Sequence, residues 1–425
     1  MKNRILLSAV VLALVRAAFA VSTVSDVIVR QRWPWSETVD IDYTLTGGKG
    51  DVTFTATWDG QTAPVMLGTD FQVEAGQHRF EWCPTNSYAG RTLTGFTVTA
   101  DVGSAVDHKY LIIDLVDGGY SFTNAPPEGG WTSEHKSTKM VFARCPAGTY
   151  TTGLPGTVDD STQTSTGDMT YVASGDLGFS YLYVKNSRTR TVTFTSDWYV
   201  GIYPMTGAQY AKITSGAPSS DYTAYQIAYN ALRGATNDTP SVDWPGTKYL
   251  VSGGSVVDKL RKLTGNVLCI DLPQEEQFEI AVRAGTTTLW PNGGTTSDSH
   301  AALTNTVNQI LNWYASTGNT DRQEVGLMAG NGWGLYDFAA NKSASWNLDK
   351  APCTGSRNYP SITPSGGTNP VGFREMCDKR VVHCSGQSVD GTALYQYLPS
   401  MRYAFAPSYS AVAARFAIHL KPLDF

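Results

Sequence analysis

A chain of 425 residues is too long for one ordinary domain, so two domains are the starting expectation. At 41% hydrophobic and 16% charged residues, the composition excludes disorder as the main state. Formal net charge is −5 and the body of the chain has no basic run, which argues against a nucleic-acid partner.

Residues 1–20, MKNRILLSAVVLALVRAAFA, place Lys2 and Arg4 before an apolar run and end in Ala18-Phe19-Ala20, a small-x-small cleavage site. This predicts a secretory signal removed after Ala20. An uncleaved membrane anchor is the weaker reading, because Arg16 interrupts the run short of the ~20 residues of a spanning helix. No later segment reaches that length, so no membrane span is expected in the mature chain. Removal takes away three positive charges and no acid, moving the formal charge from −5 to −8. Export permits one or two bridges among Cys83, Cys145, Cys269, Cys353, Cys377 and Cys384. The last three cluster late in the chain and are the better candidates, but spacing does not fix connectivity. No CxxC or His-rich spacing points to zinc.

Residues 21–115 read as all-β. VDIDYTLTGG (39–48) alternates Val39, Ile41, Tyr43 and Leu45 with polar residues, and DVTFTATWDG (51–60) continues the habit. HRFEWCP (78–84), LTGFTVTADV (93–102) and KYLIIDLVDGG (109–119) are further strands. Strands at this spacing between Gly-rich turns predict a small antiparallel sandwich. Its spacing reveals no ionisable cluster, so the expectation is a structural or spacer module. Residues 116–136, with PPEGG at 126–130, read as a linker to a second domain over 137–422.

In the second domain, SVVDKLRKLTG (255–265) predicts a helix capped by Ser255 and ended by Gly265. PQEEQFEIAVRAG (273–285) predicts another: Pro273 opens it, Glu275 and Glu276 occupy its positive first turn, and Arg283 precedes Gly285. Phe278, Ala281 and Val282 form its expected buried stripe. HAALTNTVNQILNWYAS (300–316) is a third candidate. In the 273–285 helix, Glu275, Glu279 and Arg283 fall at i, i+4 and i+8. They read either as a charged ladder pinning neighbouring loops or as a solvated face with two ordinary ion pairs.

Six segments in order resemble the sulfatase-modifying-factor family, whose founding activity is the formylglycine-generating enzyme. VFARCPAGTYTTG (141–153) looks like the family's "IPAGTFMMG", and SDWYVGIYPMTGAQY (196–210) like "FYIGVYEVTQAQY". GAPSS (216–220) and AYNALRG (228–234) follow. IDLPQEEQFEIAVRAGTT (270–287) is similar to "RLPTEAEWEYACRAGTT", and NGWGLYDF (331–338) to "NAWGLYDM". The resemblance implies a variant of the C-type lectin fold, and an α+β chain overall once the sandwich is included. It makes Pro273, Glu275, Glu279, Arg283, Gly334, Asp337, Asn341 and Trp346 structural-motif positions.

The family continues "GLYDM" as "HGNVWEWC", around a calcium-binding region in the enzymes. Here Ala340, Ser345 and Asn347 stand for the Gly, Glu and Cys. Calcium prefers carboxylate-rich oxygen sets, so it stays only an open alternative and no cofactor is expected. RVVHCSGQS (380–388) falls where the family has "RVLRGGSW". In the enzyme, two cysteines follow and bind copper(I), which soft thiolates select. Residues 385–425 contain no Cys, and Cys384 comes too early to substitute. Copper is therefore not expected. His300, His383 and His419 are isolated, unlike the iron site of the family's sulfoxide-synthase branch.

Residues 387–413 hold Tyr395, Tyr397, Met401, Arg402, Tyr403, Phe405 and Tyr409. Tyr mixed with Ser, Gly and Ala suits an adaptable binding surface, although the same alternation fits core strands. VAARFAIHL (412–420) reads as a closing core strand, resembling the family's "IGFRL". The stretch also resembles ligand-display proteins diversified by retroelements, which vary a C-terminal segment on a fixed lectin-like frame. The expectation is a secreted, non-catalytic ligand-binding or display protein whose partner is a protein or glycan. The alternatives are a formylglycine-generating-type oxidase acting on cysteine in sulfatases and a structural cell-envelope protein.

Overall fold

Period-two alternation dictates the first sheets. The computed structural model describes residues 22–31, 39–82, 92–104, 108–154, 189–234, 251–295, 298–311, 322–339, 344–350, 366–370, 379–383 and 394–420. The signal-like segment, Asn341, Cys83, Cys353, Cys377 and Cys384 lie outside these residues. The chain divides into two compact units, Met1–Val106 and Asp107–Phe425.

In the first unit, β1 (Thr23–Gln31), β2 (Val39–Thr46) and β5 (Gly76–Trp82) form one antiparallel sheet in the order β1-β2-β5. A second has the order β4-β3-β6, from β3 (Gly50–Thr57), β4 (Val65–Val73) and β6 (Thr97–Ser104). Val39, Ile41, Tyr43 and Leu45 of β2 share a core with Val52, Phe54 and Ala56 of β3 and Leu67 and Val73 of β4. Each sheet thus puts its apolar face inward, as alternation requires. Phe54 and Phe80 stack at 4.7 Å. Gly68 lets the second ring in: a Cβ there would lie 2.6 Å from Phe80 Cζ.

The second unit is built on a six-stranded sheet. Its strands are β7 (Tyr110–Asp114), β8 (Tyr120–Thr123), β9 (Lys139–Cys145), β12 (Trp198–Gly201), β13 (Cys269–Asp271) and β18 (Ala417–His419), in the order β13-β18-β12-β9-β7-β8. Here the sequence reading needs correction. Residues 110–114 pair with β9, not with the sandwich, and 116–136 carry β8 and the buried His135 and Lys136 instead of a linker. Periodicity identifies a strand but not the sheet that accepts it.

Among the described residues the unit has two smaller sheets besides. β10 (Gly148–Thr152), β11 (Arg190–Phe194) and β15 (Gly367–Thr368) make one; β14 (Ser345–Lys350), β16 (Arg380–His383) and β17 (Arg402–Phe405) make the other. The helices are α1 (Gly207–Ile213), α2 (Tyr229–Arg233), α3 (Val256–Leu263), α4 (Glu275–Arg283) and α5 (His300–Asn308). Ser255 caps α3 by accepting from the Asp258 N–H, as its sequence predicts. α5 stops earlier than the 300–316 pattern suggests.

Candidate functional site

The densest chemistry surrounds α4. Gln274 stands at its N-cap position, its N–H donating to Gln277 Oε1 at 3.1 Å, and Ala284 (φ 50°) and Gly285 (φ 81°) end it in the left-handed region. Every residue from Glu275 to Arg283 is buried, beyond the expected Phe278, Ala281 and Val282 stripe. Three acids on a buried helix must each find a partner.

They do so on three different elements. Glu275 is clasped by Arg402 of β17, with Nε to Oε2 at 2.9 Å and Nη2 to Oε1 at 2.9 Å. Burial pushes its carboxyl up, but Arg402 and His383 outweigh that and hold it at about 2. Glu276 accepts from Arg190 Nε of β11 at 2.5 Å, yet burial keeps its pKa raised. Glu279 pairs with Arg283 Nε at 2.8 Å and accepts from the Gly153 N–H at 2.7 Å. Burial opposes ionisation there too, but Arg283 and Arg190 lower the pKa. Arg283 also donates to the carbonyls of Gly153 and Thr288.

A fourth acid closes the group. Asp349 of β14 accepts from the Glu275 N–H at 2.5 Å, and burial with the charge of Glu275 raises it to about 7. The strand register aligns Ser345, His383 and Arg402 across β14, β16 and β17, under the first turn of α4. His383 packs edge-on to Phe278, and its Nδ1 lies 2.9 Å from the Pro399 carbonyl. Asn347 is fully buried on β14, with neither amide atom hydrogen-bonded among the described residues.

The Glu275, Glu279 and Arg283 ladder is therefore real only between Glu279 and Arg283. Glu275 turns to β17, and the solvated-face alternative does not hold. Sequence reading did not identify Arg190 or Asp349, placed Glu276 only in the positive first turn of the helix, and assigned Arg402 to a ligand surface. The usable signal was three acids against one base in a nine-residue helix.

The other motif positions are structural. The Pro273 carbonyl accepts from the Leu348 N–H at 3.0 Å. Gly334 (φ 88°) has no room for a side chain: a Cβ would lie 2.6 Å from the Tyr110 hydroxyl. Asp337 (φ 49°) is buried and accepts from the Gly326 N–H at 2.5 Å; burial raises it to about 6. Trp346 donates to the Ile227 carbonyl at 2.8 Å and packs on Tyr229. Asn341 lies outside the described residues.

The aromatic stretch is mostly core, which corrects the expected contact surface. Tyr397, Met401, Arg402 and Tyr403 are buried. Successive residues Arg402, Tyr403 and Ala404 of β17 are buried, so both of its faces are covered, and Arg402 reaches Glu275 of α4. Phe405 is half-buried and stacks between Tyr403 at 6.0 Å and Tyr409 at 4.7 Å. Tyr409 is 36% exposed. Tyr395 lies in a short turn over Leu394–Tyr397, and its side chain is outside the description.

Two of the six cysteines, Cys145 and Cys269, are among the described residues, and they do not share a metal site. Cys145, Trp198, His419 and Cys269 lie in one row across β9, β12, β18 and β13. Three strand spacings separate the two thiols by about 14 Å, far beyond a shared copper(I). Burial raises Cys145 well above a normal thiol. Among the described residues no three His, Cys, Asp or Glu side chains are grouped as metal ligands.

A strand-rich α+β domain braced by a buried ion-pair cluster is the class these observations define. Residues 155–408 match the sulfatase-modifying factor enzyme 1-like domain, and the chain belongs to that family. It is also similar to the structure of PvdO from Pseudomonas aeruginosa, at 18% identity and a TM-score of 0.45. That similarity covers 68% of this chain and 97% of PvdO. No curated protein matches the chain.

Proposed function

We propose that the second unit uses the sulfatase-modifying-factor scaffold for binding, without oxidase chemistry, in a secreted protein. The cysteine-free stretch 385–425, where the family's copper-binding pair would follow the motif, carries this reading. Cys145 and Cys269, the two cysteines among the described residues, stand at opposite ends of a four-residue row. A linear two-sulfur copper(I) site needs both thiolates on one ion. The buried cluster under α4 has the character of a brace: each of its acids pairs with an arginine or a backbone N–H group. The lectin-like form of the fold belongs to this proposal and is supported by family membership. A protein or glycan ligand would meet the outer end of the Tyr403–Phe405–Tyr409 stack, because Tyr397, Met401 and Arg402 are buried.

The test is direct. The purified chain is given copper(I), oxygen and a sulfatase-type cysteine peptide, and the peptide mass is followed. An unchanged peptide at high protein concentration is the expected result. Conversion of the cysteine to formylglycine would overturn the reading.

A further inference from the structure

The first unit carries an open cavity of about 440 Å³ on the β1-β2-β5 sheet. Ile28 and Arg30 of β1, Asp42 and Thr44 of β2, and Gln77 and Arg79 of β5 line it. The register sets Ile28 opposite Asp42 and Asp42 opposite Arg79, giving one row across three strands. Ser25, Thr44 and Gln77 make the next row. The volume lies within the range of small-molecule sites.

An outer sheet face usually carries scattered, solvated side chains. Here the charges are locked together. Arg79 Nε donates to Asp42 Oδ1 at 2.6 Å, and Arg30 Nη1 reaches Oδ2 at 2.8 Å. Asp42 thus holds Arg79 through two contacts and Arg30 through one, Asp40 Oδ2 lies 3.7 Å from Arg79 Nη1, and the Arg30 and Arg79 side chains keep 55% and 47% of their surface exposed. A second irregularity meets this array. The β1–β2 pairing shifts between Ser25 and Ile28, where Asp26 holds φ 54°. A bulge re-aims a side chain, and a non-glycine residue in the left-handed region is uncommon. Asp26 lies on the cavity wall, with its carboxylate taking a 3.0 Å hydrogen bond from the Ser25 hydroxyl.

The charge balance selects the ligand class. Asp26 and Asp42 offset Arg30 and Arg79 on the wall, and Asp40 beside Arg79 adds a further acid that disfavours an anion. An anion would compete with Asp42 for both guanidiniums, and a cation would meet Arg30 beside Asp26. An added peptide strand needs a regular edge, and the bulge interrupts the edge of β1. A sugar matches the array, since each hydroxyl both donates and accepts. Guanidinium N–H groups donate, carboxylate oxygens accept, and Thr44 and Gln77 do both. Ile28, 48% exposed, offers an apolar contact for the C–H face of a ring.

We propose that this cavity is a binding site for a neutral glycan, held by the Arg30–Asp42–Arg79 array, Gln77 and Ile28. The site is independent of any ligand of the second unit.

The test screens the full chain against an array of neutral di- to hexasaccharides, with uronate- and sulfate-bearing glycans alongside. The strongest neutral hit is then titrated calorimetrically against wild type, Gln77→Trp, Arg30→Met and Tyr409→Ala. Gln77→Trp fills the cavity, and Arg30→Met removes one arm of the array. Thermal unfolding checks that each variant is folded. A neutral hit weakened at least about tenfold by each cavity variant, insensitive to salt, and unchanged by Tyr409→Ala is the expected result. Arg30→Met alone decides the outcome if Gln77→Trp does not fold. Binding only of charged glycans, no neutral hit at about 1 mM, or wild-type affinity in the folded cavity variants would overturn the proposal. Loss of the hit in Tyr409→Ala alone would move the site to the second unit and overturn it equally.

Discussion

Arg402 and Glu275 form a two-pronged buried ion pair that joins the last sheet of the second unit to the first turn of α4. Their side chains are 2% and 1% exposed, so water screens neither. Removing one partner leaves the other as an uncompensated buried charge. Arg402→Met should therefore destabilise the second unit by about 3–5 kcal/mol. The double change Glu275→Leu with Arg402→Met should recover much of the loss. Urea unfolding measures both, and a single-variant effect below about 1 kcal/mol would contradict a buried pair.

The raised carboxyls set a pH dependence. Asp349 is raised from 3.8 to about 7 and Asp337 from 3.8 to about 6. Between the ordinary and raised values the folded chain binds more protons than the unfolded one, so stability falls as pH rises through that window. Glu275 acts in the opposite sense: held at about 2, it contributes stability above 4.5 that is lost as pH falls toward 2. The urea midpoint should be higher near about pH 5 than near about pH 8. Asp349→Asn should flatten the alkaline side of that profile. A profile unchanged by the substitution would remove Asp349 as its cause.

Gly334→Ala meets two obstacles at once. Its φ of 88° disfavours any side chain, and the added Cβ would strike the Tyr110 hydroxyl. A loss of about 1–3 kcal/mol is expected. Adding Tyr110→Phe removes the closest clash but not the backbone strain, so rescue should be partial. Full rescue would mean that strain contributes nothing.

Cys145 should be inert in the folded chain, since the thiolate is the reactive form and burial suppresses it. Iodoacetamide labelling followed by peptide mass mapping should leave Cys145 unmodified in buffer and alkylate it in urea. Rapid native labelling would show that the β9 row opens.

If the chain is a diversified display protein, natural copies should spare Tyr397, Met401 and Arg402, which are core, and vary at exposed positions such as Tyr409. Sequencing the gene across its population checks this. Substitutions crowded onto the core positions would argue against the frame described here.

Local signals were legible in the sequence, and distant pairings were not. Pro273, the acidic first turn and Gly285 marked α4 because capping chemistry is written within a few residues. Its complete burial was hidden. Arg190, Asp349 and Arg402 lie 86, 74 and 127 residues from their acidic partners, and no spacing rule reaches that far. The alternation in β2 and β3 revealed a sandwich face, because one side of each strand meets water. Arg402, Tyr403 and Ala404 are buried on both faces, so alternation could not separate contact surface from core.

The seat of β18 sets an order of events during synthesis. Ala417–His419 lies between β12 and β13, bonded to both, although it is made long after either. Until those residues emerge, two strands of the principal sheet lack the neighbour that joins them. The second unit must therefore be handled as an open, unfinished sheet while the chain is being produced, and a factor that shields bare strand edges would be needed for longest at that point.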